Sequence, residues 1–251
     1  MLRFRHIAPG LSSFAATPLA LGHRAIDVWA FSLVAKGHAV EQWRLLLSNA
    51  ERNRAERFVR TPDADAFVVA HGMVRCLLAR YCAVAPDELC FTCSSAGKPM
   101  LESPGSAAQV IRFNLAHSAS AALVAVSGGT EVGIDLERAR NDVDVKALAA
   151  RYFTGCERET IATEAPEARI AAFFRFWVAK EAVLKARGSG LATPLDAFSV
   201  RFGSDCESAR IDARDPAFLK SDYCVRMLPV PAGWHAALCA PVGCEVRLRT
   251  V

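Results

Sequence analysis

No stretch of this chain approaches the roughly 20 apolar residues of a membrane-spanning helix, so a spanning protein is not expected. Blocks of like charge and polar low-complexity tracts are also missing, which excludes a chain kept unfolded by its composition. The opening residues are interrupted by Pro9, Ser12, Ser13 and Pro18 and so lack the apolar centre of a secretory signal. A cytoplasmic protein is the expectation. Cys90-Phe91-Thr92-Cys93 has no second ligand pair at zinc spacing, and a strand through it would put the two thiols on opposite faces. The nine cysteines are odd in number and scattered, and are read as reduced, mostly buried thiols rather than as a disulfide framework. A large excess of one charge is absent too. The formal net charge of +4 is spread widely, which disfavours nucleic acid as a partner but suits a phosphorylated ligand or an acidic protein.

What is present is a folded composition, with 52% hydrophobic and 22% charged residues in 251, enough for one domain or two. The firmest element is a helix from Pro166 to Arg187 that stops at Gly188, a residue suited to the left-handed cap. Within it Trp177, Glu181 and Lys185 recur at steps of four and share one face. An isolated Glu–Lys pair would be a minor surface feature, so its meaning depends on partners elsewhere.

Those partners come earlier in the chain. Residues 1–25 show no period and are read as a loosely packed arm. Ile26 to Val34 reads as a strand, Val40 to Leu47 as a helix, and Ser48 as the cap of a short helix carrying Arg52, Arg54 and Arg57. Thr61-Pro62-Asp63 opens a longer helix to about Tyr81. The arginines suit either a solvated helix surface or a grip on phosphate. A strand at Cys90 to Cys93 leads to the turn Ala96-Gly97-Lys98-Pro99. A strand from Val110 ends in Asn114-Leu115-Ala116-His117-Ser118, where an imidazole stands among small residues and free amides, the makings of an anion site. Ala121 to Val126 and Glu131 to Glu137 are expected to pair as a hairpin through Ser127-Gly128-Gly129-Thr130. Along the second of these strands Asp135 and Glu137 point to one side. Like charges there are tolerated in water, and on a buried face only with a cation or protons. Helices at Val143 to Phe153 and Gly155 to Thr163 follow. After the central helix, alternation predicts five strands, at Ala197–Phe202, Ser208–Ala213, Asp222–Leu228, Gly233–Ala240 and Glu245–Val251.

Asp135, Glu137 and Glu181 together are hard oxygen donors without a matching His or Cys set, which points to Mg²⁺ or Mn²⁺ rather than zinc. Lys98, His117, Lys180, Lys185 and the Arg52–Arg57 group supply the positive charge that a diphosphate ligand needs.

Three ordered segments carry a resemblance. Phe113-Asn114-Leu115-Ala116-His117-Ser118, Val132-Gly133-Ile134-Asp135-Leu136-Glu137 and Phe176-Trp177-Val178-Ala179-Lys180-Glu181-Ala182-Val183-Leu184-Lys185 look like the signatures of the 4′-phosphopantetheinyl transferases. Gly97-Lys98-Pro99 and the helix with Arg75 match as well, and the length suggests the monomeric Sfp-type branch. The resemblance runs from about Ser48 to Val200. It implies an α+β, pseudo-twofold monomer of two similar subdomains, each a small sheet on helices, divided at 1–127 and 128–251, with the active site between them. It also implies the reaction: the phosphopantetheine arm of coenzyme A passes to a serine of an apo acyl or peptidyl carrier protein, releasing adenosine 3′,5′-bisphosphate. By that likeness Asp135, Glu137 and Glu181 hold the metal, Glu181 takes the serine proton, and Lys185 steadies the pyrophosphate and leaving group. Asp135 counts among the catalytic residues. His117, Ser118 and Arg54 lie toward the 3′-phosphate, Lys98 and Pro99 toward the adenine, and Lys180 belongs to the coenzyme site. Glu51 stands where relatives can carry a basic residue, leaving Arg52 or Arg54 to make that contact. The rival readings are a carrier- or coenzyme-binding protein without catalysis, and a metal-dependent nucleotide diphosphate hydrolase.

Overall fold

The computed structural model describes residues 1–5, 18–22, 24–102, 110–215, 218 and 222–250. Most of the expected N-terminal arm lies outside them, but its described start is not loose. Leu2 is fully buried, its amide donates to the carbonyl of Pro229 at 2.7 Å, and Arg5 bridges to Phe31.

Each half of the chain follows the same order. The first half runs β1 (Ala25–Ser32), two short helices α1 (His38–Leu45) and α2 (Asn49–Ala55), the long helix α3 (Thr61–Cys82), a small hairpin β2 (Phe91–Cys93) and β3 (Pro99–Leu101), then β4 (Ile111–Ser118) and β5 (Ala121–Gly128). The second half runs β6 (Gly133–Arg138), short helices α4 (Val145–Tyr152) and α5 (Gly155–Thr163), and the long helix α6 (Arg169–Arg187). Strands β7 (Phe198–Phe202), β8 (Ser208–Ala213), β9 (Tyr223–Met227) and β10 (Trp234–Pro241) complete it. In both halves the first strand pairs antiparallel with the last, β1 with β5 and β6 with β10. The two sheets have the orders β11-β1-β5-β4 and β6-β10-β9-β8-β7. Here β11 (Glu245–Thr250) is the C-terminal strand, which crosses back to lie parallel to β1. The expected division at 127/128 therefore assigns residues 245–250 to the wrong sheet. Arg247 on β11 fastens this strand, its Nε donating to the buried carboxylate of Asp27 at 2.7 Å.

The expected hairpin across Ser127 to Thr130 does not form. Strand β5 already has β1 on one edge and β4 on the other, so β6 leaves for the second sheet. Both segments do form strands, but a strand's own residue pattern does not name its partner.

Local chemistry explains most boundaries. Ser48 and Glu51 form a reciprocal box at the start of α2, with Ser48 N donating to Glu51 Oε2 at 2.8 Å. Helix α6 ends at Gly188, whose φ of 71° is the left-handed conformation glycine takes without penalty. The nine thiols are all free, and three of them, Cys76, Cys239 and Cys244, are buried. Fewer are buried than the composition suggested, since Cys90 and Cys93 both reach solvent.

Three apolar layers hold the molecule together. Phe31, Trp43, Met73 and Leu77 fill the space between the first sheet and its helices, while Phe173, Phe176, Val183 and Phe198 do so in the second half. A third layer, including Ile26, Val28, Leu123, Ile134 and Leu238, joins one sheet to the other. Asn114 crosses that seam, its side-chain oxygen accepting the amide of Ile134 at 2.8 Å. Strand β6 thus has one face in the seam and packs against α6. Gly133 is the point of closest approach, where a Cβ would collide with the backbone of Ala182 and Ala186 in α6.

Gly133→Ala is expected to destabilise the fold by about 3 kcal/mol, because the added methyl must push a helix backbone off a strand rather than displace a flexible side chain. Urea unfolding monitored by circular dichroism measures this, and an unchanged midpoint would refute it.

Candidate active site

The close packing of β6 on α6 sets the site. Alternation along β6 sends Ile134 and Leu136 into the seam and Asp135 and Glu137 to the other side. Helix α6 presents Glu181 and Lys185, one turn apart, to the same region. Lys185 Nζ lies 2.6 Å from Asp135 Oδ1. Asp135 is only 5% exposed, and its other oxygen, Oδ2, is buried without a hydrogen-bond partner. Glu137 Oε2 accepts from Ser118 Oγ at 2.7 Å, tying the end of β4 to β6 across the lobe boundary.

These acids share one field. Burial raises the pKa of Glu181, and the negative charges of Asp135 and Glu137 raise it further against the pull of Lys185. Burial likewise raises Glu137; its hydrogen bond from Ser118 works the other way, and the charge of Asp135 adds to the rise. Among the described residues no three His, Cys, Asp or Glu side chains form a group already set to hold a metal ion. The donor chemistry nevertheless fits a hard divalent cation. One buried carboxylate oxygen is orphaned, and two neighbouring carboxylates bear their charge at a cost that a cation would remove.

Glu181 and Lys185 line one wall of a cleft of about 520 Å³ between the halves. Its first-half wall is the turn Ala96–Pro99 with Asn114 and Leu115. Arg151 and Tyr152 of α4 and the segment after α6 close the far side. Pro99 lines the cleft. Lys98 is there too, but its ammonium is engaged by Glu131 Oε2 at 2.7 Å and the Val132 carbonyl at 3.1 Å. His117 is exposed at the end of β4. Its pKa is lowered by desolvation first, then by the charges of Lys185 and His71, against Asp135, with Arg54 adding to the decrease. Arg54 itself lies over the Phe67 ring, 5.3 Å from its centre. Arg52 points elsewhere, donating to Asn49.

Lys180 corrects an expectation. It is fully buried in the second half, with Nζ at 2.7 and 2.8 Å from the two oxygens of Glu157 and 2.6 Å from the Phe198 carbonyl. Burial lowers its pKa and the Glu157 carboxylate opposes that. One helical residue is about 100° of rotation, so positions 180 and 181 cannot face the same way. Lys180 serves the core and has no donor left for a ligand.

Glu51 has an equally definite place. It accepts from Arg75 Nε at 2.9 Å and lies 3.2 Å from His71 Nδ1. Burial would raise its pKa, but the hydrogen bonds from His71, Arg75 and Ser48 and the charge of Arg75 outweigh this and bring it to about 2. The sequence reading missed Asn114 as the lobe staple and Glu131 as the partner of Lys98. A polar Asn inside an apolar strand was the signal available for the first; nothing local marked the second.

A two-lobed α/β molecule in which a carboxylate and an ammonium, Glu181 and Lys185, face an interlobe cleft, with Asp135 and Glu137 in the same electrostatic field, belongs to a class whose site has the chemistry to take a phosphorylated ligand together with a cation. Comparison with known proteins narrows this. Residues 131–239 match the family model described as the 4′-phosphopantetheinyl transferase superfamily, and residues 37–129 match 4′-phosphopantetheinyl transferase, N-terminal. The 4′-phosphopantetheinyl transferase HetI of Nostoc sp. is 35% identical over 167 residues, 66% of this chain and 70% of that one. The 4′-phosphopantetheinyl transferase Sfp of Bacillus subtilis is 26% identical over 202 residues, 80% and 84% of the two chains. The crystal structure of Thermotoga maritima holo-[acyl-carrier-protein] synthase (AcpS) covers 47% of this chain and 64% of its own, at 20% identity and a TM-score of 0.37. The chain belongs to the 4′-phosphopantetheinyl transferase superfamily.

Two tests follow from the charge placement. Lys180→Met leaves Glu157 buried without its partner and is expected to cost about 3–5 kcal/mol in urea unfolding. The folded variant's affinity for coenzyme A in calorimetry should not change. Glu51 has a depressed folded pKa, so its stabilisation is complete above its ordinary value of 4.5 and disappears as pH falls toward about 2. Glu51→Gln should lose on the order of 3 kcal/mol near neutral pH. Its unfolding curve should converge with that of the unsubstituted protein as the medium approaches pH 2; a constant gap would refute the assignment.

Proposed function

We propose that Asp135, Glu137, Glu181 and Lys185 carry out transfer of the 4′-phosphopantetheine arm from coenzyme A to a serine of an apo acyl or peptidyl carrier protein, releasing adenosine 3′,5′-bisphosphate. The observation that carries this reading is the buried, half-satisfied carboxylate of Asp135, with Lys185 on one oxygen and two further carboxylates in its field. Asp135, Glu137 and Glu181 would hold Mg²⁺ or Mn²⁺. Such a cation supplies neutralisation of the diphosphate charge.

The protein's own groups do the rest. Lys185, one turn beyond Glu181, offers its ammonium to the diphosphate and to the charge that builds on the departing phosphate. Glu181, whose carboxylate is made more basic by burial and neighbouring acids, takes the proton of the attacking serine. The serine oxygen bonds to the β-phosphorus as the bond to the α-phosphate oxygen breaks, so that oxygen leaves with the nucleotide. His117 and Arg54 receive the 3′-phosphate; an anion there would restore the proton that its surroundings draw from His117. Ser118 keeps Glu137 oriented. Both walls of the cleft come from one polypeptide, which supports a monomer. Among the described residues no helix is long and apolar enough to cross a membrane.

Incubation of the protein with coenzyme A, Mg²⁺ and a panel of apo carriers should add one phosphopantetheine to a carrier's mass. Asp135→Ala should reduce the rate by about 1000-fold or more while leaving the circular dichroism spectrum unchanged, and a chelator should have the same effect on the unsubstituted enzyme. Release of adenosine 3′,5′-bisphosphate without any carrier would favour the hydrolase instead. Metal-independent coenzyme binding with no transfer would favour a binding protein.

A further inference from the structure

We propose that Glu131, on the linker between the two halves, is a positioning residue that draws the Lys98 ammonium out of the cleft and so sets the cleft's width for coenzyme A. The inference rests on the coenzyme reading above. Lys98 belongs to the turn between β2 and β3, in the first half, yet its stem lies against Gly188, the cap of α6 in the second. A Cβ on Gly188 would be 3.5 Å from Lys98 Cδ. At the end of that stem, Nζ donates to Glu131 Oε2 at 2.7 Å and to the Val132 carbonyl at 3.1 Å, and the side chain is 11% exposed. An ammonium with two such acceptors presents methylenes to the cleft rather than charge.

Glu131 is held from two further directions. Its second oxygen takes Arg112 Nε of β4 at 2.9 Å, and its backbone carbonyl accepts from the Tyr223 hydroxyl of β9 at 2.9 Å. A linker residue thereby gathers the turn, β4 and β9 at one point. Next to it the same turn meets the segment after α6 again, where a Cβ on Gly190 would lie 3.1 Å from the Ala96 carbonyl. Ala96, Lys98, Gly188 and Gly190 all line the cleft, so the clamp spans its mouth from one half to the other. Loss of either partner frees the turn and loosens the wall while leaving Asp135, Glu181 and Lys185 in place.

The test uses the full-length protein with coenzyme A, an apo carrier that it modifies, and calorimetry for coenzyme binding without turnover. Glu131→Ala and Lys98→Met should each raise KM and Kd for coenzyme A about tenfold, with kcat within about twofold, and the double variant should be no weaker than either single one. Glu131→Gln keeps an oxygen acceptor and should restore most of the affinity; it also serves if Glu131→Ala does not fold. If Glu131→Ala leaves Kd unchanged or tightens it, or if the two effects add, Lys98 acts as a direct ligand group and the clamp is wrong, although transfer by the unsubstituted protein would still stand. Absence of coenzyme binding by the unsubstituted protein would overturn the functional reading and this inference with it.

Discussion

The site depends on a missing side chain. Gly133 lets β6 lie directly on the backbone of α6, and this contact fixes how far Asp135 and Glu137 stand from Glu181 and Lys185. Any larger residue would separate the acids on the strand from those on the helix, because backbone atoms in a packed interior cannot yield as a surface side chain can. The seam layer on the other side of β6 and the hydrogen bond from Asn114 hold the strand against this helix, so the cleft inherits the rigidity of both halves.

Charge is distributed around that contact by environment. Lys180 and Lys185 lie five residues apart on one helix, yet one is sealed in the core against Glu157 and the other bridges to Asp135 at the cleft. The first pair is nearly dry and satisfied on all sides, which makes it a structural bolt. The second leaves one carboxylate oxygen of Asp135 buried without a partner, an uncompensated acceptor in the same field as Glu137 and Glu181. Glu51 shows the same principle in the first half, where a carboxylate at a position expected to be basic in relatives is paired with Arg75 and His71.

Most helices and strands were legible from pattern and caps. The Ser48 box, the Thr61-Pro62 start and the Gly188 stop all act within a few residues, so they can be read along the chain. The pairing of strands could not be read in this way. Strand β6 follows β5 after a tight, glycine-rich connection that suits a hairpin, but both edges of β5 were taken by β1 and β4, a fact decided by residues about 90 positions away in the first case. The return of β11 to β1 was hidden for the same reason: parallel pairing across the whole chain leaves no local trace.

By itself the sequence determined the residue types of the site, their order and their helical or strand spacing, because these are properties of neighbours along the chain. It could place Glu181 and Lys185 on one helix face, and Asp135 and Glu137 on one strand face. Only the tertiary structure decided which cations stay available. Burial beside Glu157 removed Lys180, the linker carboxylate of Glu131 turned Lys98 aside, and Asp135 kept Lys185 at the cleft. The reason is that a charge's availability depends on desolvation and on partners a few ångströms away, and those are brought together by packing rather than by sequence distance.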